Sequence, residues 1–243
     1  VCGSQNILAL SKQPLLLLML ALYDSNNNAL KRNSDLNETQ LYDNLIREFI
    51  SREKRKSDSF RGKQVKAQEN IIDEEMKKIS IAALGMYNRK KLYIRSQELE
   101  KDLQFILSEN NNTNDSSLSE GDKLLGSFFF IHKSNSTDMG DRGKISNAAY
   151  EFLHNTFGEF LTANYIVHEL QNVLVWVNTI IQTNRQSQWR LSDQRAWVIC
   201  MVYAPLFSRP VVLKMFHEWA KECLRDEIDE NLSSLIDLDI EKW

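Results

Sequence analysis

Tyr150-Glu151-Phe152-Leu153-His154-Asn155-Thr156-Phe157-Gly158-Glu159-Phe160-Leu161 contains the change of period around which this chain is organised. It begins as a short alternating apolar run, the period-two pattern of a half-buried strand. Through Asn155-Thr156 it becomes a long amphipathic helix. One polar ring, His154, sits at the junction. A neutral imidazole can donate a hydrogen bond to a phosphate. A helix start nearby supplies unpaired N–H groups and a favourable dipole for an anion. By itself, His154 reads first as a histidine satisfied at the base of a core; the phosphate reading needs support from its neighbours.

Upstream, Ser127-Phe128-Phe129-Phe130-Ile131-His132 reads as a strand, and Ala149 to His154 as a second. The polar Gly/Asp/Ser-rich segment Lys133 to Asn147 joins them. Three helices precede this pair. Glu38 to Ser57 carries Leu41, Leu45, Ile46, Phe49 and Ile50 at helical spacing. Its end holds Lys54-Arg55-Lys56, cations suited to a helix C-terminus. Ser57 to Gly62 reads as a polar break. Glu69 to Tyr87 has a stripe of Ile72, Met76, Ile79, Ala83 and Met86. Arg95-Ser96-Gln97-Glu98 opens the third helix, with Ser96 as its N-cap and Leu99, Leu103, Phe105 and Ile106 behind it. Three helices followed by two strands is the element order of a winged-helix domain, the strands forming the wing.

Downstream, Thr156 to Ile181 is a long helix whose apolar residues do not share one face, so it packs on more than one side. Ser192 to Tyr203, Pro210 to Cys223 and Glu227 to Leu238 are further helical segments. At the other end, Pro14 suits a first helical turn, and Leu15 to Leu22 is apolar on all sides, which predicts a helix buried all round. Ser25 to Ser34 is an Asn-rich loop, and Asn110 to Asp122 is a low-complexity Asn/Ser loop.

Composition agrees with this pattern. Of 243 residues, 42% are apolar, enough for a packed core, and only 8 are Gly and 3 Pro, too few for a turn-rich β fold. The fold class is therefore mainly α: a helical bundle with a winged-helix domain carrying a small β-hairpin wing, followed by further helices. A net charge of −3 gives no global reason to bind nucleic acid or a membrane surface. Cys2, Cys200 and Cys223 lack metal or redox spacing and read as reduced thiols of a cytoplasmic protein. Leu15 to Leu22 is far short of the about 20 residues that span a bilayer. The first residue is Val1, so the chain is expected to be cut from something longer, or processed.

The sequence holds no catalytic constellation. GxxxxGK[ST], HExxH and GxSxG are all missing, and His132, His154, His168 and His217 have no metal-ligand spacing. Lys54, Arg55, Lys56, Arg61, Lys63 and Lys66 form the one basic cluster, read first as a solvated helix end.

Phe152-Leu153-His154-Asn155-Thr156-Phe157-Gly158-Glu159-Phe160-Leu161-Thr162-Ala163 resembles the motif that closes the winged-helix domain of NACHT-type STAND NTPases, approximately F-[LIF]-H-x-[ST]-F-x-E-[FY]-x-A. This chain departs at Gly158, and in having Thr162 before Ala163. Gln13-Pro14-Leu15-Leu16-Leu17 is similar to the G-x-P-L segment of the family's first helical domain, with Lys12 in place of glycine. Leu41-Tyr42-Asp43 resembles the opening of its winged-helix domain. The likeness covers Ser11 to about Leu170, and its style is that of large prokaryotic members, some of which act in antiviral defence.

The resemblance implies three parts: the end of a first helical domain (1–33), a winged-helix domain (34–168) and the start of a second helical domain (169–243). It implies that His154 contacts the β-phosphate of ADP and holds a closed, inactive state, and that Pro14 lies against the adenine or ribose. ADP/ATP would bind only together with an upstream nucleotide-binding domain carrying the P-loop. This segment would not be an enzyme alone, although its parent would be an NTPase of signal transduction. Sensor repeats would lie downstream, and activation would involve a homo-oligomer. No membrane, nucleic-acid or metal partner is implied. Two other readings stand beside it: a winged-helix DNA-binding regulator using the Lys54 to Lys66 cluster, and a structural helical adaptor.

Overall fold

A computed structural model describes residues 8, 11–25, 28–32, 36–107, 125, 128, 130–137, 146–183 and 208–224. Among these the chain is mainly helical, with a small three-stranded antiparallel sheet. The expected helices at Ser192–Tyr203 and Glu227–Leu238, the Asn110–Asp122 loop, Cys2 and Cys200 lie outside the described residues.

Pro14 opens α1 (Pro14–Asp24) at a position where its missing N–H leaves no bond unmade. Leu16, Met19, Leu20 and Tyr23 are buried, an i, i+3, i+4, i+7 stripe. Leu17 and Leu18 are about half exposed, at 50% and 49%. The helix expected to be buried all round is therefore one-sided, packed through a single stripe. A one-turn helix, α2 (Ala29–Arg32), interrupts the expected Asn-rich loop. Asn28 precedes it at φ 52°, a left-handed conformation that asparagine tolerates. The Asp24 carboxylate accepts from the Leu30 N–H at 3.1 Å.

Helix α3 (Glu38–Lys54) starts at a capping box. The Asn37 side chain accepts from the Gln40 N–H at 2.8 Å, and the Gln40 side chain accepts from the Asn37 N–H at 3.0 Å. The anticipated stripe is buried, joined by Tyr42 at 1% exposure. The helix ends at Lys54, short of the expected Ser57. The supposed polar break contains one further turn, α4 (Asp58–Arg61), which buries Phe60. Helix α5 (Val65–Asn88) begins a turn earlier than its stripe predicts, and every residue from Ile79 to Tyr87 is buried.

Gly85 lies in that run because nothing larger fits. Arg89 grips Asp102 with two N–H groups, at 2.6 and 2.8 Å, and also donates to the Gly85 carbonyl at 3.0 Å. A Cβ on Gly85 would stand 2.5 Å from Asp102 Oδ2 and 2.7 Å from Ile94 Cδ1. Gly85→Ala is thus expected to destabilise the fold by about 1–3 kcal/mol through overpacking. That exceeds the about 1 kcal/mol alanine gains in helix propensity. A thermal melt checks the sign: an unchanged or raised Tm would mean that the Arg89–Asp102 fork gives way freely.

The sheet runs β1-β3-β2. Strand β1 (Tyr93–Arg95) was not anticipated; Arg95 belongs to it instead of opening the next helix. That helix, α6 (Ser96–Leu107), begins at Ser96, and the Glu98 carboxylate accepts from the Arg95 N–H at 3.0 Å. Strands β2 (Ile131–Thr137) and β3 (Ser146–Phe152) pair with Ile131 opposite Phe152 and Thr137 opposite Ser146. The expected strand Ser127–His132 is displaced toward its C-terminal end. Phe128 and Phe130 are core residues ahead of the ladder, at 3% and 0% exposure. The second expected strand, Ala149–His154, starts earlier and stops at Phe152.

Helix α7 (Asn155–Thr183) is unbroken and packs on α3, α5, β3 and α8 (Pro210–Cys223). Contact on several sides matches its lack of a single apolar face. Helix α8 has the bounds read from the sequence. Its Trp219 Nε1 donates to the buried Asn164 carbonyl at 2.9 Å. Lys214 and Glu222 reach the start of α3 through Glu38 at 2.9 Å and Gln40 at 2.6 Å.

Candidate functional site

The candidate site is the turn between β3 and α7. Phe152, the last residue of β3, folds its ring onto the first turn of α7. A Cβ on Gly158 would stand 3.1 Å from that ring, so the close packing of Phe152 leaves little room for a larger side chain there. The Leu153 N–H donates to the Phe130 carbonyl at 2.9 Å, tying the turn to the residue ahead of β2. His154 follows, half-buried, and its carbonyl accepts from the Phe157 N–H at 3.2 Å. The ring therefore stands at the N-terminal boundary of a 29-residue helix. Of the first N–H groups of this helix, those of Thr156 and Phe157 are taken up by His154 itself, through Nδ1 at 3.3 Å and the carbonyl at 3.2 Å.

Its surroundings are aromatic below and polar beside. Phe157, at 0% exposure, meets the His154 ring edge-on with centroids 6.4 Å apart. His154 Nδ1 lies 2.6 Å from Thr156 Oγ1 and 3.3 Å from the Thr156 backbone nitrogen. Tyr42 Oη, from α3, donates to Thr156 Oγ1 at 2.8 Å. Burial lowers the His154 pKa below the usual histidine value, which favours the uncharged ring. Burial likewise pushes Tyr42 up to about 12, so its hydroxyl keeps its proton.

Around the corner of α7, Asn155, Gly158 and Glu159 line a hollow of about 40 Å³ with Lys91 and Arg209. The Glu159 carboxyl is raised by burial and pulled back by the Arg209 charge. Arg209 is thus an electrostatic partner of Glu159.

Pro14, the other residue singled out, is solvent-exposed at the start of α1. Helices α1 and α7 both pack on α3. Among the described residues no hydrogen bond, ion pair or ring contact joins Pro14 to His154. Beside Pro14, Gln13 Oε1 is buried with no hydrogen-bond partner among the described residues. Of the basic cluster, Lys54 pairs with Glu75 at 3.0 Å, Lys56 with Glu53 at 2.6 Å and Arg61 with Asp58 at 2.5 Å. No group of three or more His, Cys, Asp or Glu is placed to hold a metal among the described residues. None of their helices is long and apolar enough to cross a membrane.

Two residues of this site escaped the sequence reading. Thr156 stands at the Ser/Thr position of the quoted motif, two residues after His154, and its contact with the ring is what the sequence left unstated. Tyr42 sits beside the apolar stripe of α3, and nothing in sequence separates its hydroxyl from any other core tyrosine. Scanned against protein-family models, the chain matches none, and neither the curated proteins nor the solved structures hold a match to it.

Proposed function

We propose that this chain is the regulatory segment of a nucleotide-switched signalling NTPase of the NACHT type, in which His154 senses ADP. The observation that carries the reading is the placement of an uncharged, half-buried imidazole at the boundary of a long helix, where an anion is favoured. The sheet order β1-β3-β2, with a helix between β1 and β2, supports a winged-helix reading of residues around the wing. A hydrogen bond to a charged phosphate contributes about 1.5–3 kcal/mol. Such a bond, made with ADP and lost on exchange, biases a two-state arrangement of domains. Pro14 would contribute an apolar contact to the base.

The test uses the protein with its native flanking sequence, which on this reading carries an upstream GxxxxGK[ST]. His154→Ala is expected to weaken ADP retention by roughly 10- to 100-fold, the equivalent of the bond above. Unaltered retention would remove the assigned role. The rival DNA-binding reading predicts salt-dependent retardation of duplex DNA. The net charge of −3 offers it little.

A further inference from the structure

We infer that Thr156 and Tyr42 are positioning residues that hold the single proton of the neutral His154 ring on Nε2, leaving Nδ1 bare. The inference deepens the reading of His154 as a phosphate donor and rests on it for its purpose, although the proton placement stands on geometry alone.

The argument starts from the one group in the cluster that cannot reverse its polarity. A backbone N–H only donates, and that of Thr156 points at His154 Nδ1 from 3.3 Å. At that length the contact favours a lone pair on Nδ1 without fixing it by itself. The Thr156 hydroxyl, 2.6 Å from the same nitrogen, then also points its hydrogen at Nδ1. That leaves the oxygen of Thr156 as an acceptor, and the Tyr42 hydroxyl fills it at 2.8 Å. Tyr42 is 1% exposed and is held between Phe157, edge-on at 5.6 Å, and Phe160, stacked at 5.8 Å. Its oxygen has little freedom to turn elsewhere.

Each link thus points the same way, from Tyr42 on α3 through Thr156 on α7 to the ring. The outcome is a histidine whose remaining nitrogen, Nε2, is a committed donor. A donor of fixed position suits a ligand oxygen that only accepts, as a phosphate oxygen does. In the other tautomer Nε2 would offer a lone pair to an anion and repel it. The two positioning residues thereby choose the sign of what His154 recognises.

The test is nitrogen-15 NMR of the histidine rings in the whole 243-residue chain, with the His154 signals identified by their loss in His154→Ala. The expected wild-type result is Nδ1 resonating as a bare nitrogen and Nε2 as a proton-bearing one. A proton on Nδ1 would overturn the inference outright. Thr156→Ser should leave the pattern intact. Thr156→Val keeps the shape and the backbone N–H but lacks the hydroxyl, and a measurable Nδ1–H population should appear. Tyr42→Phe should shift the ring the same way, to a smaller extent. Wild-type tautomer ratios in both Thr156→Val and Tyr42→Phe would deny these residues the role. ADP retention in the flanked protein is the separate arm. If the tautomer responds as expected while His154→Ala leaves retention unchanged, proton placement stands and the nucleotide reading falls.

Discussion

Phe157→Ala is expected to destabilise the fold by about 3–5 kcal/mol. Phe157 is wholly buried where three parts of the structure meet. Its ring meets Tyr42 of α3 edge-on at 5.6 Å and Phe130, ahead of β2, at 5.3 Å. Truncation removes the transfer energy of the ring and leaves a void that helix, strand and turn cannot all close, since each is anchored elsewhere. Three ring contacts vanish with it, those with Tyr42, Phe130 and His154, and an aromatic pair contributes about 0.5–1.5 kcal/mol beyond area. Denaturant unfolding followed by far-ultraviolet circular dichroism measures the loss. A cost well under 1 kcal/mol would mean that α7 is not seated on α3 in the way described. Phe157→Leu, which keeps most of the volume, should lose much less.

Trp219→Ala should have an effect of similar size, about 3–5 kcal/mol, for a different reason. Trp219 docks α8 onto α7 by its ring, 5.9 Å from that of Phe160, and by its indole N–H, which donates to Asn164 Oδ1. Asn164 is 1% exposed, so removal of the indole strands a buried carbonyl as well as opening a space. Trp219→Phe separates the two contributions: it keeps an aromatic ring and loses the donor, which should cost about 1–3 kcal/mol. Combined with Asn164→Leu, the penalty of the lost donor should shrink, because no polar group is then left unpaired. Equal penalties for Trp219→Phe in the presence and absence of Asn164 would show that the hydrogen bond contributes nothing. A mild Trp219→Ala would show α8 only loosely attached.

Elements with punctuation at both ends were legible in the sequence. Helix α8 is bounded as read because Pro210 fixes its first turn and its apolar residues keep a single stripe. Helix α3 has its stripe and its basic end, but Tyr42 was hidden, since a tyrosine at a helical position declares neither its burial nor where its hydroxyl goes. Helix α1 misled for the opposite reason. A run of leucines carries no record of which of them meet a partner, and Leu17 and Leu18 face out. Strand β1 is three residues long, with exposed Tyr93 and Arg95 around one buried Ile94, too short for any period to register. The displacement of β2 follows from Phe128 and Phe130. Their hydrophobicity reports core membership, which they have, whereas the ladder is built from the polar Lys133 to Thr137 that follows. At the site, the position of His154 at a strand-to-helix turn was evident from the change of period. The direction of its hydrogen bonds was not, because it depends on Tyr42, 114 residues from Thr156 along the chain, being folded against it.

The polar character of β2 has a consequence for life at high concentration. Among the described residues the order β1-β3-β2 places β2 at a border of the sheet. An apolar strand there would be a template for a neighbouring molecule to extend. His132, Lys133 and Ser134 are polar and exposed, so this stretch offers such a neighbour little apolar surface. Lys133 sets a charge at the border while its stem lies along the Tyr150 ring, its Nζ 5.5 Å from the centroid. At the opposite border, three residues of β1 are too few to seed a growing ribbon. The same composition that disguised these strands in the sequence thus guards the sheet against aggregation.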